Sequence, residues 1–173
     1  MTTLVLTVIG DDRAGLVKAL ADVVSAHDGN WERSHLAEMA GKFAGIVEVS
    51  VSAARADELA EALRPLRGLL DVEVHAGAVD EVADRRTVVV ELVGNDHPGI
   101  VRAVSGVLAE HGLSVTELET GTRDAPMAGG RLFEARAAVV VPDASDLADL
   151  RAALEEIASE VLVDLTLDDV AAG

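Results

Sequence analysis

The sequence predicts an α+β fold made of two copies of one βαββαβ unit, each with an antiparallel sheet and both helices on one face. The first observation is a repeat. Four landmark residues recur 84 positions later: Gly10 as Gly94, Asp12 as Asp96, Gly15 as Gly99 and His27 as His111. Similarity at a fixed period is the signature of duplication. The second observation is that strand-like and helix-like segments follow in the same order twice, which is the split βαβ or ferredoxin-like arrangement.

The first copy contains four strand-like and two helix-like segments. Behind its glycine loop, Leu16 and Leu20 begin an apolar series at helical spacing. Val47, Val49 and Val51 alternate with polar residues, as in a strand with one buried face. We predict strands at 4–9, 30–39, 43–51 and 70–75, and helices at 14–27 and 56–66.

The second copy repeats this order after a polar linker. We predict strands at 87–93, 114–123, 131–141 and 162–167, and helices at 98–111 and 145–161. The domains are then residues 1–79 and 87–173, with a linker at 80–86. Alternation within the strands predicts which side chains face away from the helices: Thr7, Glu48 and Ser50 in the first copy, and Glu91, Glu134 and Arg136 in the second. Units of this size bury a modest share of their surface, so we expect self-association or pairing of the copies.

The two copies differ in one hairpin. His27 to Phe43 spans 16 positions and His111 to Phe133 spans 22, so the second copy carries about six extra residues around "RDAPMAGGRLF". A longer hairpin containing Pro126 and Met127 could cover a site or bind a partner. A passive insertion in a surface loop explains the length equally well.

Charge and composition exclude several classes of function. The chain has 31 acidic and 14 basic residues, a formal net charge of −17, one tryptophan, two phenylalanines and no tyrosine. This charge repels nucleic acid and anionic membranes, and there are few aromatic rings on which bases could stack. The absence of cysteine excludes disulfides and thiolate chemistry. No apolar run suits a membrane span and no basic signal region begins the chain, so we expect a soluble, cytoplasmic protein without a membrane partner.

The two glycine loops, residues 10–15 and 94–99, are the candidate functional features. A plain structural interpretation is helix entry, in which Asp12 and Asp96 cap backbone amides and Pro98 occupies a first helical turn. It leaves Gly15 and Gly99 unexplained, since glycine inside a helix costs about 1 kcal/mol relative to alanine. Open amides at a helix start favour a carboxylate and a nearby aspartate favours an ammonium, which together suit a free amino acid. The spacing fits neither a dinucleotide fingerprint nor a P-loop.

The histidines give little support for catalysis or metal binding. His97 beside Asp96 could act as a general base, but its counterpart Arg13 could not, which favours a surface histidine beside a capping acid. His27 and His111 stand where a helix should end, and helix capping explains both. No nucleophile elbow or metal-binding spacing occurs, so we expect no catalytic residues, no metal and no cofactor.

Two residues open the third element of the first copy. Trp31 is most simply a core or interface anchor. Asn30 stands at a strand start that the chain order allows to lie close to the first glycine loop. It serves equally well as a turn residue after Gly29.

The loop sequences "DDRAGL" and "NDHPGI" resemble the D-R-P-G-[IL] signature of ACT domains, which are βαββαβ modules that sense small molecules. The tandem order, with "HPGIVRAVSGVLAEHGLSVTELET" followed by "APMAGGRLF", is similar to the glycine cleavage system transcriptional repressor family. The resemblance covers roughly residues 4–167.

That resemblance implies a regulatory protein without catalytic activity, which binds an amino acid such as glycine or serine at interfaces between ACT domains. It also implies a DNA-binding partner protein, since direct contact with nucleic acid is not expected. Vestigial sites in a protein-binding adaptor are the alternative. The implied ligand-binding positions are Asp12, Arg13, Ala14, Gly15, Leu16 and Asn30 in the first copy, and Asp96, His97, Pro98, Gly99, Ile100 and Ser114 in the second. Ala14 stands where the family has proline, and Ser114 stands opposite Asn30.

Overall fold

The computed structural model describes residues 1–78, 86–125, 129–141 and 147–170. The chain divides into two compact units, residues 1–81 and 82–173. The predicted linker at 80–86 lies outside the described residues except for Arg86, which is the first residue of a strand.

The first unit is a four-stranded antiparallel sheet with two helices. Its strands are β1 (Thr2–Asp11), β2 (Asn30–Met39), β3 (Lys42–Val51) and β4 (Asp71–Ala76), and its helices are α1 (Leu16–Ala26) and α2 (Ala56–Leu63). Short 3-10 turns flank α2 at Ala53–Arg55 and Arg64–Leu66. The strand order is β2-β3-β1-β4.

The second unit repeats this topology with the order β6-β7-β5-β8. Its strands are β5 (Arg86–Asn95), β6 (Ser114–Asp124), β7 (Arg131–Val141) and β8 (Val163–Val170), and its helices are α3 (Ile100–Glu110) and α4 (Leu147–Glu160). The predicted fold class, two ferredoxin-like units with antiparallel sheets, is therefore confirmed.

Each unit has its own apolar core on the helix side of its sheet. In β1, buried Leu4, Leu6 and Val8 alternate with more exposed residues, and all three share one core cluster with Leu20 of α1 and Leu59 of α2. A corresponding cluster in the second unit joins Val88, Val90 and Leu92 of β5 to Val104 of α3 and Leu154 of α4. Strand alternation and helix periodicity thus meet in a single layer on one face of each sheet.

The opposite face of each sheet carries the polar side chains that the alternation predicted. Glu48 pairs with Val5, which stands between the buried Leu4 and Leu6 and so faces the other side of the sheet. Glu48 also forms an ion pair with Arg33. In the second unit the Nε atom of Arg136 lies 3.2 Å from a carboxylate oxygen of Glu91. These exposed pairs contribute little stability but keep the face polar.

The extra residues of the second copy lengthen one hairpin. In the first unit β2 turns into β3 through Ala40 and Gly41, both with positive φ. In the second, the ladder continues to Asp124 opposite Arg131, and the Ala125 N–H donates to the Gly130 carbonyl at 2.9 Å. Pro126 and Met127, for which covering a site, binding a partner and a passive insertion were all open, lie outside the described residues.

In the part of the chain that the structure describes, no helix is both long and apolar enough to cross a bilayer.

Candidate functional site

Both glycine loops begin with the same backbone contact to the neighbouring hairpin. The Asp12 N–H donates to the Gly41 carbonyl at 2.9 Å, and the Asp96 N–H donates to the Arg131 carbonyl at 2.8 Å. The two aspartates therefore start their loops in equivalent places, despite the insertion in the second hairpin. Sequence reasoning did not identify this contact, because its acceptor is a backbone carbonyl.

Gly15 and Gly99 are the N-cap residues of α1 and α3. They have φ of 95° and 106°, in the left-handed region, and neither helix has a side-chain cap. The expectation that Asp12 and Asp96 cap the helices is therefore wrong, as is the expectation that Pro98 lies in a helical turn. Both α1 and α3 begin two residues later than predicted, because a left-handed residue, Gly15 or Gly99, precedes each helix. Glycine adopts this conformation without steric cost.

The space above each helix start is open. Apart from its chain neighbours and the backbone of its own helix, a Cβ atom built on Gly15 or Gly99 would meet no heavy atom of the described residues within 4 Å. The first helical hydrogen bonds run from Ala19 to Gly15 and from Ala103 to Gly99, each 2.9 Å. The three amides that precede each bond have no acceptor within the helix, so their N–H groups give the helix start a partial positive charge.

The side chains of Leu16 and Ile100 do not face this open space. Both are 2% exposed and belong to the two cores. Their side chains therefore pack in the core and do not contact a ligand at the helix start. Ala14 and Pro98 are exposed at the preceding position of each loop.

The charges around the two loops differ. Beside the first loop, Lys42 forms an ion pair with Asp11, and its hydrogen bond and charge lower the pKa of that carboxyl. Asp12 is exposed and has no described ion pair. Beside the second loop, the Nε atom of Arg131 lies 3.9 Å from an Oδ atom of Asp96. The second aspartate thus has a cation next to it before any ligand binds.

The turn that precedes the last strand packs against the loop in both units. A Cβ atom on Gly10 would lie 2.6 Å from the Leu69 carbonyl oxygen, and one on Gly94 would lie 2.8 Å from the Leu162 carbonyl oxygen. This close approach explains why the next-to-last residue of both strands is glycine.

Arg13 and His97 each contact that same turn. The Nη2 atom of Arg13 donates to the Gly68 carbonyl at 3.0 Å. The Nε2 atom of His97 lies 2.7 Å from the Val161 carbonyl oxygen, and its Nδ1 atom lies 3.1 Å from that of Pro98. The Val161 and Pro98 carbonyls raise the pKa of His97, and the Asp96 carboxylate adds a smaller effect in the same direction. His97 is thus more than a surface residue beside an acid, since it holds a contact.

The sheet register separates Asn30 from the first glycine loop of its own unit. Asn30 pairs with Ser50, which pairs with Thr3 near the start of β1, whereas the loop follows the other end of that strand. At about 3.3 Å per residue, Asn30 and Asp12 lie roughly 25–30 Å apart. The hypothesis that Asn30 lies close to the loop is therefore wrong within one unit.

Asn30 instead belongs to a small polar cluster at a bulge in β2. Its Nδ2 atom donates to Glu32 at 2.9 Å, and the Ser50 hydroxyl also donates to Glu32. Both hydrogen bonds lower the pKa of Glu32, with the larger effect from Ser50. Ser114 occupies the equivalent strand start in the second unit, opposite Val140 and Thr87 and so equally far from Asp96.

Two of the other histidines have the helix-capping role that the sequence predicted. His27 and His111 cap α1 and α3, each with its Nδ1 atom 2.9 Å from the carbonyl oxygen four residues earlier. His75 lies near Glu73 at 3.9 Å. Within the described residues, no group of three or more His, Asp or Glu side chains could hold a metal ion. Trp31 packs against the core of the first unit.

An apolar groove runs along α3 in the second unit. Its volume is about 380 Å³ including its open mouth. Val101 and Ser105 of α3 form one wall, and Leu118, Phe133 and Ala135 of the sheet form the other. Val101 and Leu118 are 45% and 51% exposed, so this groove presents apolar side chains to the surface.

Comparison with known proteins gives two domain matches, and similar solved structures include two that align well over nearly the full length. Models described as ACT domain match residues 2–77 and 88–159. An unknown protein from Galdieria sulphuraria is 32% identical, with a TM-score of 0.88, covering 98% of this chain and 99% of that one. A protein assigned as a glycine cleavage system transcriptional repressor is 19% identical, with a TM-score of 0.71, covering 99% of this chain and 98% of that one. A search of curated proteins gives no match.

Proposed function

Because this chain belongs to the ACT-domain family, with two such domains in tandem, we propose that it is a non-enzymatic regulatory protein that binds a free amino acid of the glycine or serine type. The observation that carries the proposal is the repeated glycine N-cap. In both units the helix starts with N–H groups that have no acceptor within the helix, and an aspartate precedes this start. The backbone N–H of that aspartate is hydrogen-bonded to the neighbouring hairpin.

This geometry matches the two charged ends of an amino acid. The α-carboxylate would accept hydrogen bonds from the amides at the start of α1 or α3, where the helix field favours an anion. The ammonium would bind the carboxylate of Asp12 or Asp96. A left-handed glycine without a Cβ leaves the amides accessible, and the predicted positions Arg13, Ala14, Leu16, His97, Pro98 and Ile100 shape the loop or contribute backbone.

Asn30 and Ser114 enter this proposal only through a second ACT domain. Each stands at the far end of its own sheet from the glycine loop, so a site that used a loop and a strand start would take them from different domains. Self-association offers one way to supply the second domain. The edge strands β2 and β6 each have one side without a strand neighbour in their own sheet.

Regulation would pass to transcription through a protein partner. The net charge of −17 opposes direct binding to DNA. The likeness to a protein assigned as a glycine cleavage system transcriptional repressor supports a role in the transcriptional control of amino-acid metabolism. In this proposal the protein acts in the cytoplasm, and a DNA-binding regulator makes the contact with DNA.

A thermal-shift screen of the twenty amino acids tests the binding proposal. A ligand that binds only the folded protein raises its melting temperature with occupancy. We expect a concentration-dependent increase for glycine, serine or a similarly small amino acid. The absence of any shift for all twenty at millimolar concentration would refute amino-acid sensing.

A protein-binding adaptor is the second candidate, and the apolar groove along α3 favours it. Exposed Val101 and Leu118 would then contact a partner rather than a metabolite. Charged substitution at Leu118, on the sheet side of the groove, should abolish partner capture without altering any amino-acid response.

A further inference from the structure

Equivalent residues of the two glycine loops make equivalent contacts with different chemistry. Arg13 and His97 stand 84 positions apart, and each donates to the carbonyl of the turn that precedes the last strand of its unit. In both units this turn also approaches the glycine at the loop start. Both copies of the repeat therefore contain this contact between loop and turn, but the donor is a guanidinium in the first copy and an imidazole in the second.

The imidazole must carry two protons to satisfy both of its neighbours. The Val161 oxygen lies 2.7 Å from Nε2 and the Pro98 oxygen lies 3.1 Å from Nδ1, and a carbonyl can only accept. Neutral histidine has a single N–H, so deprotonation leaves one ring nitrogen facing a carbonyl lone pair. Arginine stays protonated at every ordinary pH.

The charges near His97 favour its cation on balance. Asp96 is adjacent on the same loop and is itself 3.9 Å from Arg131 of β7. On the turn, Glu160 ends α4 and Asp164 lies in β8, one on each side of Val161. The Val161 and Pro98 carbonyls, and to a smaller extent the Asp96 carboxylate, raise the pKa of His97 above its ordinary value.

We propose that His97 is a proton-dependent tie between the second glycine loop and the turn after α4, whereas Arg13 ties the first loop to its turn at all physiological pH. A raised folded-state pKa means that the tie contributes stability below the unfolded pKa and loses it as pH rises through the folded pKa. If the loops bind an amino acid as proposed above, the second site is then sensitive to pH and the first is not.

The tie can be measured on the full chain without any amino acid, so its failure is distinct from failure of the proposed function. Backbone amide exchange is followed by NMR between about pH 5.5 and pH 8, on either side of the ordinary histidine pKa, after correction for intrinsic exchange. The reporters are the hydrogen-bonded amides of Asp96 and Val161 in the second unit and of Asp12 and Leu69 in the first.

We expect protection at Asp96 and Val161 to fall as pH rises, and protection at Asp12 and Leu69 to stay level. His97→Arg should remove this pH dependence from the second unit, and Arg13→His should introduce it into the first. His35→Gln, an exposed histidine of β2, is the matched control and should change neither. Level protection at Asp96 and Val161 in the wild type, or unchanged pH dependence in His97→Arg, would overturn the proposal.

Discussion

The Nε2 atom of His97 lies 2.7 Å from the carbonyl oxygen of Val161 and joins a residue of the second glycine loop to the turn before β8. The same join exists in the first unit between Arg13 and Gly68. The turns that contain Gly68 and Val161 differ in sequence, and in both of them the hydrogen-bond acceptor is a backbone carbonyl. A histidine that is isolated in the sequence is therefore part of a contact that the fold repeats.

The left-handed glycine at the start of α3 should be required for stability. Gly99→Ala places a Cβ on a residue with φ of 106°, and a left-handed non-glycine residue costs about 1–2 kcal/mol. We expect the free energy of unfolding to fall by about that amount in urea melts followed by far-UV circular dichroism. Gly106→Ala, inside the same helix and with no heavy atom within 4 Å of the added Cβ, is the matched control. It should stabilise the protein by up to about 1 kcal/mol, and equal losses in both variants would contradict this account of Gly99.

Gly45 of β3 should also be required for stability, because a side chain at this position would clash with the neighbouring strand β2. A Cβ on Gly45 of β3 would lie 1.9 Å from the carbonyl oxygen of His35, so Gly45→Ala must separate β2 from β3. We expect a loss of more than about 2 kcal/mol for the first unit. The fluorescence of Trp31 on β2, the only tryptophan, reports this unfolding directly. Gly121→Ala in β6, where an added Cβ meets nothing within 4 Å, should leave stability nearly unchanged.

The polar cluster at the β2 bulge predicts a titration shift. The Ser50 hydroxyl gives the larger of the two hydrogen bonds that lower the pKa of Glu32, so Ser50→Ala should raise that pKa towards its ordinary value. Carboxyl carbon NMR of Glu32 measures the change. Because the folded-state pKa is lowered, the contribution of Glu32 to stability is present above its unfolded pKa and is lost as pH falls through the folded value. Ser34→Ala, two residues further along β2, is the control and should leave the titration of Glu32 unchanged.

Sequence periodicity predicted the elements well and their ends less well. The strands β2 and β7 have the predicted bounds, because alternation and the turn residues at both ends mark them. The helices α1 and α3 start two residues late, since Gly15 and Gly99 have a left-handed backbone that composition alone does not reveal. Aspartate before a helix suggested capping, yet both aspartates precede the N-cap by three positions.

The candidate site was predicted only in part. Repetition identified both glycine loops, but the distance between Asn30 and Asp12 depends on which end of the sheet each occupies. A strand start and a loop that are near in chain order lie at opposite ends because α1 carries the chain back along the sheet. The carbonyl acceptors at Gly41, Arg131, Gly68 and Val161 have no side-chain signature. The sequence does record that the turn before the last strand lies close to β1 and β5, because both strands have glycine at the point of contact, Gly10 and Gly94.

The two aspartates should differ in how much binding depends on them. Asp96 has Arg131 at 3.9 Å, so part of its charge is already compensated, whereas Asp12 has no described ion pair. Arg131→Gln should therefore strengthen amino-acid binding at the second loop by up to a few fold, measured as the dissociation constant at low ionic strength. Arg123→Gln, which removes the partner of Glu134 on the same hairpin, is the control and should leave affinity unchanged. Weaker binding in Arg131→Gln would show that this arginine acts on the ligand itself.

Isothermal titration calorimetry with the amino acid that gives the largest thermal shift tests the central claim most directly. The wild type should give a saturable heat of binding, and Asp12→Asn combined with Asp96→Asn should abolish it while the far-UV spectrum and melting temperature without ligand remain unchanged. Asp22→Asn, which removes an exposed carboxylate of α1 away from the loop, should bind as the wild type does. Saturable binding that persists in the double variant would contradict the assignment of the glycine loops as the amino-acid site.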